Sequence, residues 1–374
     1  AEDGIRDRSP SRGLGDVYKR QNNIDSLNVT NNTALTFLNI QDNIISSVDL
    51  SANTALVTFY CHNNELTNLN VSNNTALTFL WCYNNALDSL DVTANTALTE
   101  LRCYGNQLTE LDVSNNTALD YLSCRDNQLT SLDVSSNIVL SELYCYNNQL
   151  TSLDVSNNAA LEILKCYGNQ LTELDVSSNT ALDYLSCRDN QLTSLDVSTN
   201  IVLSKLYCYN NQLTYLNMKN GVTDALTAFN ATNNDSLECI ETLDPDYATE
   251  NWTNDNGNID EGVTFSVDCL FPPVVSIPDT SMNEDSEFFY DLSAYISNVD
   301  NDSLMVVVGH VSQPMRQHVQ VQMIGSDTLR LVSRNNWIGS GTILIRVDDG
   351  QTETHYPFML TVNPVNDVPV FENL

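Results

Sequence analysis

Cysteine recurs every 21 residues, eight times without a slip, at Cys61, Cys82, Cys103, Cys124, Cys145, Cys166, Cys187 and Cys208. A strict period of this size is the mark of a solenoid, in which one supersecondary unit stacks on the next. An asparagine follows each cysteine by three residues, at Asn64, Asn85, Asn106, Asn127, Asn148, Asn169, Asn190 and Asn211. Asn43 opens that column one period earlier, with Ile40 in the cysteine slot. Leu98, Leu101, Cys103, Asn106 and Leu108 spell L-x-x-L-x-C-x-x-N-x-L. Leu129, Leu132, Asp133, Val134 and Asn137 spell the second half, L-x-x-L-D-V-S-x-N.

Leu-x-Cys alternation places both side chains on one face of a short strand. Strands of successive coils then pair in parallel, ~4.8 Å apart, and about ten coils span ~45–50 Å. The Asn amide sits where the chain turns away from the strand and can satisfy backbone groups orphaned by the bend. The last coil is irregular: Leu226, Phe229, Ala231 and Asn234 keep the frame, but two residues are inserted between Leu213 and Leu226. Residues 103–153 and 166–216 differ only at Asn115/Ser178, Ser136/Thr199, Glu142/Lys205 and Ser152/Tyr215, so a three-coil block has been copied. Arrays that grow in this way vary length and surface rather than catalytic geometry.

These motifs resemble the 21-residue bacterial subclass of leucine-rich repeats, as found in secreted proteins of Bacteroidetes-type bacteria, over residues 24–237. The resemblance implies a mainly β chain: a parallel-sheet solenoid of about ten coils at 22–237, a cap at 238–271 and an antiparallel β-sandwich at 272–365. It also implies that the eight periodic cysteines are free, buried and small, as inward columns of this kind usually are. The segment between Cys239 and Cys269 resembles the closing cap of such arrays, and a Cys239–Cys269 disulfide is expected, which places the protein in an oxidising compartment.

The formal net charge is −33, from 48 acidic and 15 basic residues. A phosphate backbone would be repelled, so nucleic acid is disfavoured as a partner. No stretch approaches the ~20 apolar residues of a membrane span. Residues 1–21 match nothing that follows, lack the apolar run of a secretory signal and resemble a translated sequencing-adapter tail. They are expected to stand outside the fold, with a signal peptide and an anchor expected beyond this sequence. Residues 366–374 read as the start of a further domain.

After Pro272-Pro273 the period ends, and short alternating strands with turn signals between them suggest the sandwich. Asn336-Trp337, Val347-Asp348-Asp349-Gly350 and Leu360-Thr361-Val362-Asn363-Pro364-Val365-Asn366-Asp367 resemble cadherin-like or bacterial immunoglobulin-like domains of surface adhesins. That resemblance implies calcium at junction carboxylates. The matching positions are Glu284, Asp285, Asp300, Asp302, Asp348, Asp349, Asn366 and Asp367, whose oxygen ligands suit a hard cation. No other cofactor is implied.

Alternation directs another set of side chains to solvent. Before the cysteines stand Tyr60, Trp81, Arg102, Tyr144, Lys165 and Tyr207; after them stand His62, Tyr83, Tyr104, Arg125, Tyr146, Tyr167, Arg188 and Tyr209; further back lie Phe79, Tyr121 and Tyr184. Tyr, Trp and Arg anchor interfaces, and flat rings can stack on sugars. In-register rings also suit a parallel sheet on their own account. Arg102, Arg125, Lys165, Arg188 and Lys205 lie on the same sheet and suggest an anionic ligand, such as a sulfated or uronic polysaccharide. A second column, Asp49, Asp91, Asp112, Asp133, Asp154, Asp175 and Asp196, brings like charges close together and is screened by water, salt and neighbouring Ser and Thr.

No phosphate loop, nucleophile elbow or zinc spacing is present, and none of His62, His310, His318 and His355 has metal-ligand spacing to Cys or a carboxylate. The expectation is a non-enzymatic, monomeric, secreted or surface protein that binds an extracellular protein or polysaccharide through a concave aromatic face. The competing readings are the binding module of a larger secreted enzyme and a purely structural stalk.

Overall fold

The computed structural model describes residues 16–18, 23–269, 273–298, 303–334 and 336–365. They fall into two compact units divided between Asp268 and Cys269.

The first unit is the solenoid. Eleven three-residue strands form one parallel sheet, from Asp16–Tyr18 and Phe37–Asn39 through Glu100–Arg102 and Tyr184–Ser186 to Lys205–Tyr207 and Ala228–Asn230. Each residue pairs with the one 21 positions on, as Glu100 does with Tyr121 and Tyr184 with Lys205. At the last step Lys205 pairs with Ala228, so the register absorbs the two inserted residues without losing the ladder. Three residues of the segment expected to stand outside the fold, Asp16–Tyr18, supply the first strand, pairing with Phe37–Asn39.

The core is a continuous column of leucines, valines and cysteines. Leu101, Cys103, Leu108, Val113 and Leu119 of one coil are fully inaccessible, and equivalent residues repeat along the array. Two asparagine ladders cross-link the coils. Asn148 Nδ2 donates to the carbonyls of Cys145 at 3.0 Å and of Cys124, one coil back, at 3.1 Å. Its Oδ1 accepts from Leu129 N–H at 3.0 Å. In the other half of the coil, Asn137 Nδ2 donates to Val113 and Asn116 carbonyls at 3.1 and 2.8 Å. The positions two after Ile40 and after each periodic cysteine take left-handed backbone, at Asp42, Asn63, Asn84, Gly105, Asp126, Asn147, Gly168, Asp189 and Asn210. Only Asn, Asp and Gly adopt that conformation readily, which explains the composition of this column.

The open end is closed within the same unit. A second parallel sheet joins Ser194–Asp196, Tyr215–Met218, Cys239–Thr242 and Thr264–Ser266. The helix Pro245–Asn251 begins at Asp244, whose carboxylate accepts from Tyr247 N–H. Trp252, 5% exposed, packs 4.5 Å from Phe229. Asp260 takes the Asn233 and Asn234 N–H groups at 2.9 Å each, and Asn258 donates to the Phe229 carbonyl in the last strand and accepts from the Ala231 N–H just after it. Backbone donors of the final coil thus find partners where no further coil follows. Cys239 and Cys269 are disulfide-bonded, and the eight periodic cysteines are free and buried.

The second unit contains two larger sheets and a two-stranded one, Val274–Val275 with Ile296–Ser297. Thr280–Asn283, Glu353–Asn363, Gly339–Asp348 and Met305–Val311 lie side by side in that order, as do Glu287–Asp291, Thr328–Ser333 and Val319–Ile324. Pairing is antiparallel except between Thr280–Asn283 and Leu360–Asn363, which run parallel. Alternation fills its core with Leu329, Leu331, Ile343, Ile345, Val347, Phe358 and Leu360. Among the described residues, no helix is long and apolar enough to cross a membrane.

Candidate functional site

Three columns of side chains leave the large sheet on its solvent side, three and one positions before each cysteine and one after it. The strand alternation dictates this: Leu101 is buried between half-buried Glu100 and Arg102, and Cys103 returns to the core.

The column after the cysteines is one file of planar groups. His62 stacks on Tyr83 at 4.1 Å with planes 15° apart, and Tyr83 on Tyr104 at 4.2 Å and 9°. The Arg125 guanidinium follows, 3.7 Å from the Tyr104 ring and 5.2 Å from Tyr146. Tyr146 and Tyr167 stack at 4.1 Å, and Arg188 lies 3.8 Å from Tyr167 and 5.3 Å from Tyr209. In-register parallel strands about 4.8 Å apart impose this spacing.

The column before the cysteines runs differently. Tyr60 stacks on Trp81 at 4.2 Å, and Arg102 lies 4.5 Å from Trp81 and 4.4 Å from Tyr121. Ser123 and Ser186 then interrupt the column and are buried. Tyr121 and Tyr184, from the column behind, fill these gaps, 5.3 Å from Tyr144 and 5.8 Å from Tyr207. Lys165 lies 4.4 Å from the Tyr184 ring and 5.3 Å from that of Tyr144. All fifteen residues expected on the binding face therefore share one surface. Most of them border a groove of about 350 Å³ running from Arg102 to Tyr209.

Two features alter the chemistry expected of it. First, the tyrosines along the file spend their ring faces on one another, leaving edges and hydroxyls toward solvent rather than flat platforms for sugars. Second, the arginines are neutralised where they stand. Arg102 pairs with Glu100, which also accepts from Trp81 Nε1 at 2.8 Å; Arg125 pairs with Asp126 and Arg188 with Asp189. Glu142 accepts from the Tyr144 hydroxyl at 2.6 Å. Burial pushes the Tyr83 hydroxyl up to about 12, reinforced by Tyr104, and raises Tyr121, Tyr144, Tyr146 and Tyr184. These groups are neutral donors at physiological pH.

Sequence reasoning passed over Glu100, Glu142, Asp126 and Asp189. Their signal was position: the glutamates sit two residues before Arg102 and Tyr144 on the same face, and the aspartates directly follow Arg125 and Arg188.

The Asp column lies in the other half of the coil, beside a larger open groove of about 1030 Å³ flanked by Leu90, Asp91, Leu111 and Asp112. Its carboxylates are engaged locally: Asp91, Asp112, Asp133 and Asp154 each accept the N–H two residues on at 2.9 Å. The adjoining hydroxyls and amides hold these four carboxyls below the ordinary value. This is turn chemistry, complete without a ligand.

Of the eight expected calcium residues, the four that are described stand in two separate places. Asp300, Asp302, Asn366 and Asp367 lie outside the described residues. Glu284 accepts from Val365 N–H at 2.9 Å and Asp285 from Asn336 N–H at 3.0 Å, both beyond the end of Glu353–Asn363 marked by Asn363. Asp348 and Asp349 sit at the other end of that strand, where Asp349 accepts from Gln351 and Thr352 within their turn. Among the described residues no group of three His, Cys, Asp or Glu is arranged to hold a metal ion.

No protein-family model and no curated protein matches the chain. Among solved structures, the functional domain of InlJ from Listeria monocytogenes, described as including a cysteine ladder, is 24% identical. It covers 94% of this chain and 91% of its own, with a TM-score of 0.52. The leucine-rich repeat domain of APL1B covers 66% of this chain and 85% of its own at 19% identity and TM-score 0.48. YopM, a leucine-rich effector protein from Yersinia pestis, covers 56% and 69% at 19% identity and TM-score 0.38. The likeness to InlJ establishes a leucine-rich repeat fold.

Proposed function

We propose that the sheet face of the solenoid is a recognition surface for a protein partner outside the cell. One observation carries the reading: the file from His62 to Tyr209 and the neighbouring column present tyrosine edges, hydroxyls and paired arginines in register along a groove. Tyr, Trp and Arg dominate protein interfaces because they combine large rigid area with a polar tip. The spent ring faces favour a peptide surface over stacked sugars. The Cys239–Cys269 disulfide favours an oxidising compartment, and the C-terminal sandwich acts as a spacer. Binding, not catalysis, is the role assigned.

The ring-on-ring contacts also support a second reading, a stalk whose stacks serve stability alone. Changing Tyr83, Tyr104, Tyr146 and Tyr167 together to Phe separates the two, because it keeps the stacks and removes the hydroxyls. The full chain and this variant are applied to arrays of extracellular proteins and polysaccharides. A protein ligand lost from a variant that melts like the parent supports recognition. No ligand on either array supports the stalk, and a polysaccharide ligand overturns the choice of partner.

A further inference from the structure

Coils three apart show the same surface twice, across the copied block and the strand residues just before it, and the two surfaces have diverged in charge. In the first, Arg102 and Glu142 flank Tyr121; Arg102 is paired with Glu100, and Glu142 holds the Tyr144 hydroxyl. In the second, Lys165 stands where Arg102 does, Ile163 where Glu100 does, and Lys205 where Glu142 does, around Tyr184. One cation and two carboxylates have become two cations and no carboxylate. Both ammonium groups converge on one ring, 4.4 and 5.4 Å from the Tyr184 centroid.

These lysines differ from the arginines of the same face. Each arginine has a carboxylate partner, whereas neither Lys165 nor Lys205 has an ion pair within 4.0 Å among the described residues. Burial disfavours the Lys165 ammonium and Lys205 repels it, while Glu142 pulls weakly the other way. The surrounding Ser186, Tyr184 and Tyr207 line the same groove. A chain of net charge −33 has carboxylates in excess to neutralise a cation, yet this pair is left without one.

We propose that Lys165 and Lys205, gathered on Tyr184, form an anion subsite that anchors an acidic side chain of the protein partner. The inference rests on the recognition role of this face and names the charge its partner must carry. It also gives the face a polarity: the subsite around Tyr184 accepts a carboxylate, and its counterpart around Tyr121 rejects one.

The test uses the full chain and a dye-labelled octaglutamate peptide, followed by fluorescence anisotropy at physiological salt, where the long-range repulsion of the acidic surface is screened beyond ~8 Å. Octaglutamine is the neutral control and dextran sulfate the sugar-borne anion. Two variants exchange the copies, Lys205→Glu and Glu142→Lys. Each introduces the residue already carried at the equivalent position of the other copy. Octaglutamate is expected to bind the parent, about tenfold or more weakly to Lys205→Glu, and with an additional equivalent to Glu142→Lys. Octaglutamine is expected not to bind. The proposal is overturned if octaglutamate does not bind, if Lys205→Glu leaves its binding unchanged, or if only dextran sulfate binds. Octaglutamate binding that persists in the Tyr→Phe variant, while that variant keeps every array ligand, would count against the recognition reading and leave the anion subsite intact.

Discussion

The cysteine ladder makes the solenoid sensitive to alkali, and the effect can be sized. Eight thiols are fully buried, and burial pushes each well up, to about 12 for Cys124, Cys166 and Cys208. In the unfolded chain the same groups titrate near 9.0. The folded value is raised, so the contribution to stability is complete below the unfolded value and is lost as pH rises toward the folded one. At pH 10 each exposed thiolate favours the unfolded chain by about 1.4 kcal/mol, against less than ~0.1 kcal/mol at pH 8. Eight thiols together remove about 11 kcal/mol over that interval, comparable to the whole stability of many domains. Urea midpoints at pH 7 to 10, in degassed buffer with chelator, should therefore fall steeply above pH 9. Tyrosines add to the fall, so the specific control is Cys103→Ala with Cys166→Ala. That pair should cost a roughly constant ~1–2 kcal/mol at neutral pH and reduce the thiol part of the slope by about a quarter. An unchanged slope in this variant, or midpoints flat to pH 10, would refute the reasoning.

Three further outcomes follow. Asn148→Ala orphans the Leu129 N–H and removes one of the two amide donors on each of the Cys124 and Cys145 carbonyls, which Asn127 and Asn169 still reach, and should lower stability by about 1–3 kcal/mol, measured by denaturant unfolding. Asp49, Asp91, Asp112, Asp133, Asp154 and Asp175 are held below the ordinary value by Ser or Thr hydroxyls and amides, so their contribution is present above pH ~4 and lost as pH falls below it. Changing Ser114, Ser135 and Ser156 to Ala should flatten the acid limb of the melting temperature, and an identical acid limb would count against this. Gly105 has φ +63°, and a Cβ there meets Asn84 Oδ1; Gly105→Val should destabilise clearly more than Gly105→Asn, since Asn occupies that column in other coils, and calorimetry distinguishes them.

The repeat frame was legible because each feature has a local physical cause that recurs. Cysteine, leucine and asparagine occupy fixed places in every coil, so one coil explains the rest. The Cys239–Cys269 pair was legible through resemblance to a cap. Charge on the binding face was not, because the decisive partners are neighbours in space. Arg125 looked like a free cation until Asp126 was seen to turn back onto it, and Arg102 until Glu100, two residues away on the same face, closed on it. Ring orientation was equally hidden: composition announces tyrosines, but only the inter-strand spacing shows that Tyr83 and Tyr104 lie face to face. Among the described calcium candidates, Glu284 and Asp348 lie at opposite ends of one 11-residue strand, a separation that acidic motifs in a sequence do not reveal.

The most direct test of the recognition face is hydroxyl-radical footprinting, read by mass spectrometry, of the full chain alone and with a ligand identified on the arrays. The account predicts protection concentrated on Tyr83, Tyr104, Tyr146, Tyr167 and Tyr209, with Leu90 and Leu111 beside the opposite groove unchanged. Protection of the Leu90–Leu111 side, with the tyrosines reacting as in the free chain, would contradict it.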